Sequence, residues 1–176
     1  MTIVEDFVVL VNERGEPIGE QRKSLAHNSS TALHLAFSLY LTDSTGRVLL
    51  TRRALSKLTW PGVWTNTCCG HPRLGESVTD AIGRRLTNEL GMAVTDLRPV
   101  LPDFAYRAQD ASGVWENEIC PVFLGSAVQA EPAVRPDPNE VIEWAWIEWG
   151  DMVTAMRAAP FAFSPWSVLQ VAELAG

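Results

Sequence analysis

Residues 70–92 read GHPRLGESVTDAIGRRLTNELGM, and this stretch sets the centre of the fold. From Ser77 onward, Val78, Ala81, Ile82, Leu86 and Leu90 recur at the spacing of a helix with one apolar face. Ser77 with Asp80 three residues on has the form of a capping box, and Gly91 can close the helix in the left-handed conformation. The polar residues keep a fixed spacing too: Gly70, five residues, Glu76, seven residues, Arg84, then Glu89, Gly91 and Met92.

Working outward, Phe7 to Val11 is a short apolar run stopped by Asn12-Glu13-Arg14-Gly15, a strand and a turn. LHLAFSLYLT (33–42) is rich in strand formers, and Asp43-Ser44-Thr45-Gly46 turns it toward Val48-Leu49-Leu50, a hairpin. TNTCCGHP (65–72) reads as a loop. Further strands are expected over Val100–Arg107 and Val114–Leu124, either side of a turn at Asp110–Gly113, and over Val141–Ile147. The Pro-rich polar segment Glu131–Asn139 reads as a loop, and Asp151–Ala158 and Pro165–Leu174 as helices, with Pro165 suited to a first helical position. There is no repeat and no linker. The mix is α+β, a single domain over residues 1–176.

Bulk properties exclude several classes. A 47% hydrophobic content suits one real core. The N-terminal segment has no basic region ahead of its apolar run, and no stretch reaches the roughly 18 apolar residues of a membrane span. Three cysteines, two of them adjacent, make no disulfide framework, so a reducing, cytoplasmic setting is expected. A net charge of −7 argues against nucleic acid as partner. Yet seven of the 14 Lys and Arg lie between Arg47 and Arg85, opposed only by Glu76 and Asp80. Such a zone fits a small anionic substrate, although a solvated face with salt bridges accounts equally for any one arginine. A monomer is the default expectation.

Three histidines, His27, His34 and His71, are all the chain holds. Glu116 and Glu118 alternate along one predicted strand and share a face, about 7 Å apart at Cα. Three imidazoles and two carboxylates would suit Mn2+, Fe2+, Co2+ or Zn2+ in an open site. Spacing alone leaves surface histidines and a solvated glutamate pair as the alternative. Cys69 lies beside His71 just before the box, where a nearby cation or arginine would lower its pKa and make a usable acid or base. Cys68 and Cys120 read as small buried residues. Most of the seven tryptophans should pack the core, while one facing a site could stabilise a cation.

The 70–92 spacing resembles the Nudix box, G-x5-E-x7-R-E-U-x-E-E-x-G-U with U aliphatic, whose carboxylates in Nudix hydrolases hold Mg2+ and activate water on a diphosphate. Two of those glutamate positions are Arg85 and Asn88 here. With HLAFSLYL (34–41), TRRALSKLTWPGVWTNTCCGHP (51–72), YRA (106–108), ENEICPVF (116–123) and FSPW (163–166), the chain resembles type I isopentenyl-diphosphate isomerase in the family's own order. That resemblance implies a Nudix-like α/β/α sandwich with mixed sheets and a central box helix. It implies an allylic isomerisation of an isoprenoid diphosphate, with protonation at C4 and deprotonation at C2. By motif, Cys69 matches the catalytic cysteine, Glu118 the catalytic carboxylate and Tyr106 its hydrogen-bonded neighbour. The favoured assignment makes Glu118 with Tyr106 the acid at C4 and Cys69 the C2 base, with the roles reversed in the reverse direction. His27, His34, His71, Glu116 and Glu118 match a divalent metal site, Mn2+ or Zn2+. Glu89 and the Cys69 carbonyl match a Mg2+ that also touches the diphosphate. Lys23, Arg53, Lys57 and Arg85 match diphosphate contacts, and Trp166 the aromatic facing the carbocation.

Two other readings compete. A diphosphate hydrolase is disfavoured because Arg85 and Asn88 remove charge that a hydrolytic metal cluster needs. A non-catalytic binding module is disfavoured because it has no use for both Cys69 and Glu118.

Overall fold

The chain's computed structural model describes residues 6–129 and 133–176. Phe7–Val11 (β1) pairs antiparallel with Pro17–Arg22 (β2), and one helical turn, Lys23–Ala26 (α1), follows. His34–Leu35 (β3), Phe37–Thr42 (β4), Val48–Arg53 (β5), Trp64–Thr65 (β6) and Cys68–Gly70 (β7) lead to the box helix, Val78–Leu90 (α2). Then come Val94–Leu101 (β8), Ala105–Gln109 (β9), Trp115–Ile119 (β10), Val122–Ala127 (β11) and Val141–Ile147 (β12). Trp149–Ala158 (α3), a short 3-10 turn and Pro165–Leu174 (α4) complete the described chain.

The box helix forms as its sequence dictates. Ser77 Oγ accepts the Asp80 N–H at 3.1 Å, and Gly91 ends the helix at φ +64° with its N–H bonded back into the last turn. Its apolar face, Ala81, Ile82, Leu86 and Leu90, packs on Phe37, Leu39, Leu41 and Leu49. Tyr40, Val48 and Leu50, of opposite parity, pack instead with Met152, Val153, Met156, Trp166 and Val171 of α3 and α4. Strand β4 is therefore covered on both faces, which explains why LAFSLYL is almost continuously apolar rather than alternating. The expected α/β/α sandwich is present, and each fully buried Leu or Ile contributes about 1.5–3 kcal/mol to it.

Two sheets share the chain. One runs β2-β1-β3-β10-β9; the other runs β12-β5-β4-β11-β8, with β6 beside β5 and β7 beside β4. Two pairs are parallel, β3 with β10 and β4 with β11, so both sheets are mixed. Three expected strands are each broken where the chain crosses from one sheet to the other. The 33–42 strand breaks at Ala36 into β3 and β4. The 114–124 strand breaks at Cys120-Pro121, because Pro121 has no N–H for a ladder. The 100–107 strand splits at the Pro102–Phe104 turn, and its first half belongs to a longer β8 that begins at Val94. At the first two breaks the backbones stay joined, Ala36 N–H to Ile119 O at 2.9 Å and Ser38 N–H to Pro121 O at 3.1 Å.

Other differences are local. The 43–46 turn forms, but β4 and β5 pair only at Thr42 and Val48 before β6 and β7 lie against their diverging edges. TNTCCGHP contains strand β7 rather than loop alone, since Cys68 and Cys69 pair with Leu39 and Ser38. Within the 131–139 segment, residues 131 and 132 lie outside the described residues, and 133–139 carry no helix or strand.

The leading box glycine has a steric reason. A Cβ on Gly70 would fall 2.9 Å from Arg85 Cγ and 3.1 Å from the Phe37 ring. Gly70→Ala should therefore push α2 off β7 and lower stability by about 1–3 kcal/mol. Denaturant unfolding measures this, and an unchanged midpoint would show that the close approach is dispensable.

Candidate active site

Sheet register assembles the first part of the site. His34, Glu118 and Tyr106 lie side by side on β3, β10 and β9. Tyr106 O–H donates to Glu118 Oε2 at 2.9 Å, while Glu118 Oε1 lies 3.3 Å from His34 Nε2 and 3.0 Å from His71 Nε2. Glu116, two residues earlier, lands on the same buried face as expected, with Oε2 2.9 Å from His27 Nε2 and Oε1 accepting from Thr59.

Burial alone would raise Glu118's pKa, but the imidazoles of His34 and His71 beside it hold it well below the usual carboxylate range. Burial presses His71 down to about 3 against the pull of Glu118. Burial lowers His34 as well, yet the facing Glu118 carboxylate leaves it raised. Burial lifts Tyr106 far above the phenolic range, with Glu118 adding to it, so its hydroxyl keeps its proton as a donor.

These residues fit a divalent cation on their own geometry. One ligand atom each from His27, His34, His71 and Glu118 falls within 4.8 Å of all the others. His34 Nδ1 faces the Ala32 carbonyl at 2.9 Å, which fixes the proton there and leaves the Nε2 lone pair aimed at Glu118. Two acceptors so opposed need a proton or a cation between them. His27 Nε2, His34 Nε2, His71 Nδ1 and Glu116 Oε2 are buried without hydrogen-bond partners. Glu116 stands beside this four-residue group through His27 rather than within it.

Strand β7 supplies the thiol. Alternation turns Cys68 toward α2, where its Sγ lies 3.5 Å from Glu89 Oε2, and turns Cys69 toward α4. Cys69 Sγ is 3.2 Å from Asn66 Oδ1 and 3.4 Å from Ser38 Oγ. The expected lowering of its pKa is overturned: burial lifts the thiol to about 11, although the Ser38 hydroxyl and Arg53's charge act the other way. Cys68 and Cys120 are buried as expected, and all three cysteines are free thiols.

The cations gather nearby. Arg85 pairs with Glu89 and, at 3.5 Å, with Glu140, which also pairs with Lys57. Lys23 loses basicity to burial and to repulsion from Arg85 and Lys57, so three positive side chains share one region. Arg53 donates to the Thr59 and Trp60 carbonyls and stands 5.1 Å over the Trp166 ring. Arg47, Arg52 and Arg84 of the expected cationic zone are instead tied to Asp43, Glu143 and Glu76. Burial raises Glu89 above its ordinary pKa despite Arg85, and the Cys68 thiol lies between Glu89 and the Cys69 carbonyl.

One cavity of about 340 Å³ joins these groups. Every sequence-predicted site residue lines it except His34, which is fully buried and reaches the cluster through Nε2. Sequence reasoning missed Glu140, Thr59, Asn66 and Ser38. Ser38 carried a signal, a lone hydroxyl inside the apolar run LAFSLYL, whereas Glu140 and Thr59 carried none.

Comparison with known proteins bears on this geometry. The NUDIX domain family profile matches residues 32–167. The chain is 54% identical over 168 residues to "Isopentenyl-diphosphate Delta-isomerase" of Frankia alni, covering 96% of this chain and 85% of the relative. It is 54% identical over 170 residues to the protein of the same name from Mycolicibacterium vanbaalenii, covering 97% and 92%. A crystal structure from Deinococcus radiodurans aligns with a TM-score of 0.65 at 18% identity over 87% of this chain and 90% of its own. A Nudix hydrolase of M. smegmatis aligns at 0.55 and 16% over 95% and 91%. At those identities the two structures speak for the fold alone.

The histidine cluster predicts a measurable ion. The metal-stripped protein should bind one divalent ion there, and His34→Gln should weaken that binding more than about tenfold in calorimetric titration. Affinity should fall as pH drops through the imidazole range, because protonated nitrogens cannot ligate. Unchanged affinity in His34→Gln would place the ion elsewhere.

Proposed function

The chain belongs to the isopentenyl-diphosphate Delta-isomerases and carries their NUDIX domain, and from that premise we propose how its own residues perform the reaction. The enzyme interconverts isopentenyl and dimethylallyl diphosphate in isoprenoid biosynthesis. Moving the double bond from C3–C4 to C2–C3 requires a proton added at C4 and another removed from C2, with positive charge developing at C3. The observation that carries the reading is the convergence of Cys69 and Glu118 on one cavity that also holds Lys23, Arg53, Lys57 and Arg85.

Glu118, assisted by the Tyr106 hydroxyl, delivers the proton to C4, and Cys69 removes the proton from C2. Lys23, Arg53, Lys57 and Arg85 bind the diphosphate, whose charge competes with Glu89 and Glu140 for these cations. The Trp166 ring faces the developing cation, where an anion would trap it. The protonation of the substrate-free site, a neutral thiol and an ionised Glu118, is the starting state of the reverse direction under this assignment. The forward direction begins with the proton on the Glu118 side. His27, His34, His71, Glu116 and Glu118 would hold Mn2+ or Zn2+, and Glu89 with the Cys69 carbonyl would hold Mg2+. Those ions, when bound, supply Lewis acidity beside Glu118 and neutralise diphosphate charge. No helix of the described residues is long and apolar enough to cross a membrane. We read the protein as a cytoplasmic monomer, one domain over residues 1–176.

Incubation with isopentenyl diphosphate and Mg2+ in D2O should place deuterium in the C4-derived methyl of dimethylallyl diphosphate, read by NMR. Release of phosphate or diphosphate without isomer would sink the reading. Cys69→Ala and Glu118→Gln should each cut turnover by about 10²–10⁴-fold with the fold intact by circular dichroism. Near wild-type turnover in Cys69→Ala would refute the acid–base assignment.

A further inference from the structure

Behind the reacting thiol lies a set of polar side chains with no access to solvent. Ser38, Asn66, Thr67, Ser164, Ser167 and Gln170 are all fully buried. Polar groups cost free energy when taken from water, and they persist in a core only when every one is hydrogen-bonded. Asn66 is the hub. Its amide donates to the Leu39 carbonyl at 3.2 Å and to the Cys68 carbonyl at 3.0 Å, which uses both hydrogens. Its Oδ1 lies 3.2 Å from Cys69 Sγ, 3.1 Å from Trp166 Nε1 and 2.8 Å from Thr65 Oγ1.

The amide has one chemically sensible orientation. Indole Nε1 can only donate and the two carbonyls can only accept, so a flipped amide would oppose like groups at three contacts. The oxygen must therefore face Cys69 and Trp166. On its far side the sulfur meets Ser38 Oγ at 3.4 Å. Ser38 is itself held by Gln170 Nε2 at 2.9 Å, and Tyr40 O–H donates to Gln170 Oε1 at 3.0 Å. The sulfur is thus held between two fixed partners, one on the 65–67 segment and one on β4.

We propose that Asn66 is the positioning residue that sets the protonated Cys69, the acid at C2 in the reverse direction, and Trp166 relative to each other, its side-chain oxygen taking the thiol S–H and the indole N–H together. The proposal rests on the reading above, in which Cys69 meets the C2 proton and Trp166 faces the cation. Those two tasks concern adjacent carbons of one substrate, so thiol and ring must keep a fixed mutual geometry. A shared acceptor atom achieves this directly, because neither donor can move without losing its bond to the same oxygen. Bridging the Leu39 and Cys68 carbonyls is a structural task, but it needs only the amide N–H groups. The aim of the oxygen is a separate property.

Two readouts separate positioning from folding. In the metal-loaded enzyme with dimethylallyl diphosphate as substrate, where Cys69 starts protonated, Asn66→Ala should lower kcat about 10- to 100-fold while KM changes less than about twofold. The S–H stretch of Cys69 is isolated by infrared difference between wild type and Cys69→Ala. It should lie at the low frequency of a hydrogen-bonded thiol and rise in Asn66→Ala. In Trp166→Phe, which keeps a ring but removes the N–H, the same band should fall, because the oxygen is left to the thiol. If Asn66→Ala does not fold, the shift in Trp166→Phe decides alone. An S–H band unmoved in every folded variant would overturn the proposal, as would a lowered Tm with unchanged kcat and KM in Asn66→Ala. If Cys69→Ala retained turnover, the role of the thiol would fall while the infrared shifts still decided the hydrogen bond.

Discussion

A carboxylate with almost no access to water is the constraint on which this site depends. Glu118 is buried, and an ionised group there is tolerable only when its oxygens are fully engaged. Its partners come from three separate places: His34 on β3, Tyr106 on β9 and His71 just beyond β7. None is a near neighbour in sequence. The charge is compensated only when the first sheet is in register and the segment leading into the box helix is docked against it. Folding and assembly of this carboxylate, the proposed acid, are the same event here.

That dependence explains why the site lies where the chain changes sheets. Two parallel strand pairs, β3 with β10 and β4 with β11, are consecutive along the same two stretches of chain, broken at Ala36 and at Cys120-Pro121. The break turns the strands from one sheet into the other and opens the wedge that becomes the cavity. Glu118 stands on the first-sheet side of this seam. Cys69, paired with Ser38 on β4, stands on the second. Under the proposed mechanism, the two groups that meet opposite ends of an allylic unit are thereby carried by different sheets, and the gap between them is set by backbone rather than by side-chain choice.

How much of this could be read beforehand follows from the range of the forces involved. The box helix and its two caps were legible because Ser77, Gly91 and the apolar period act within a few residues. Helix α4 was legible from Pro165 onward for the same reason. The shared face of Glu116 and Glu118 followed from strand alternation. The break at Ala36 was not legible, since Ala36 carries no breaking signal of its own, whereas Pro102 and Pro121 mark the other two breaks in the sequence. The direction of the Cys69 shift was misread because sequence shows a nearby arginine but not the burial that outweighs it. Glu140 was missed because its importance comes from Lys57 and Arg85, both more than fifty residues away in sequence. The resemblance named five residues for the histidine site, and the structure brings His27, His34, His71 and Glu118 together with Glu116 beside them.

The box itself shows how one frame can serve a different bond. At Arg85 a guanidinium stands where the hydrolytic pattern has a carboxylate, and the absence of a Cβ on Gly70 lets the helix bring it close against β7. Glu89 and Glu140 hold that guanidinium in place, and under the proposed binding mode the same two carboxylates are what a diphosphate must outcompete. Replacing negative charge with positive at this position favours holding the diphosphate over activating water against it. The cost of water is also greater here than in a hydrolase, because a tertiary cation is quenched by any nucleophile that reaches it. Burial of Glu118, Tyr106 and Trp166, with Cys69 half-buried beside them, therefore serves the proposed chemistry twice. It keeps the proton on the Tyr106 hydroxyl, and on Cys69 for the reverse direction, and it leaves an indole face where an oxygen would end the reaction.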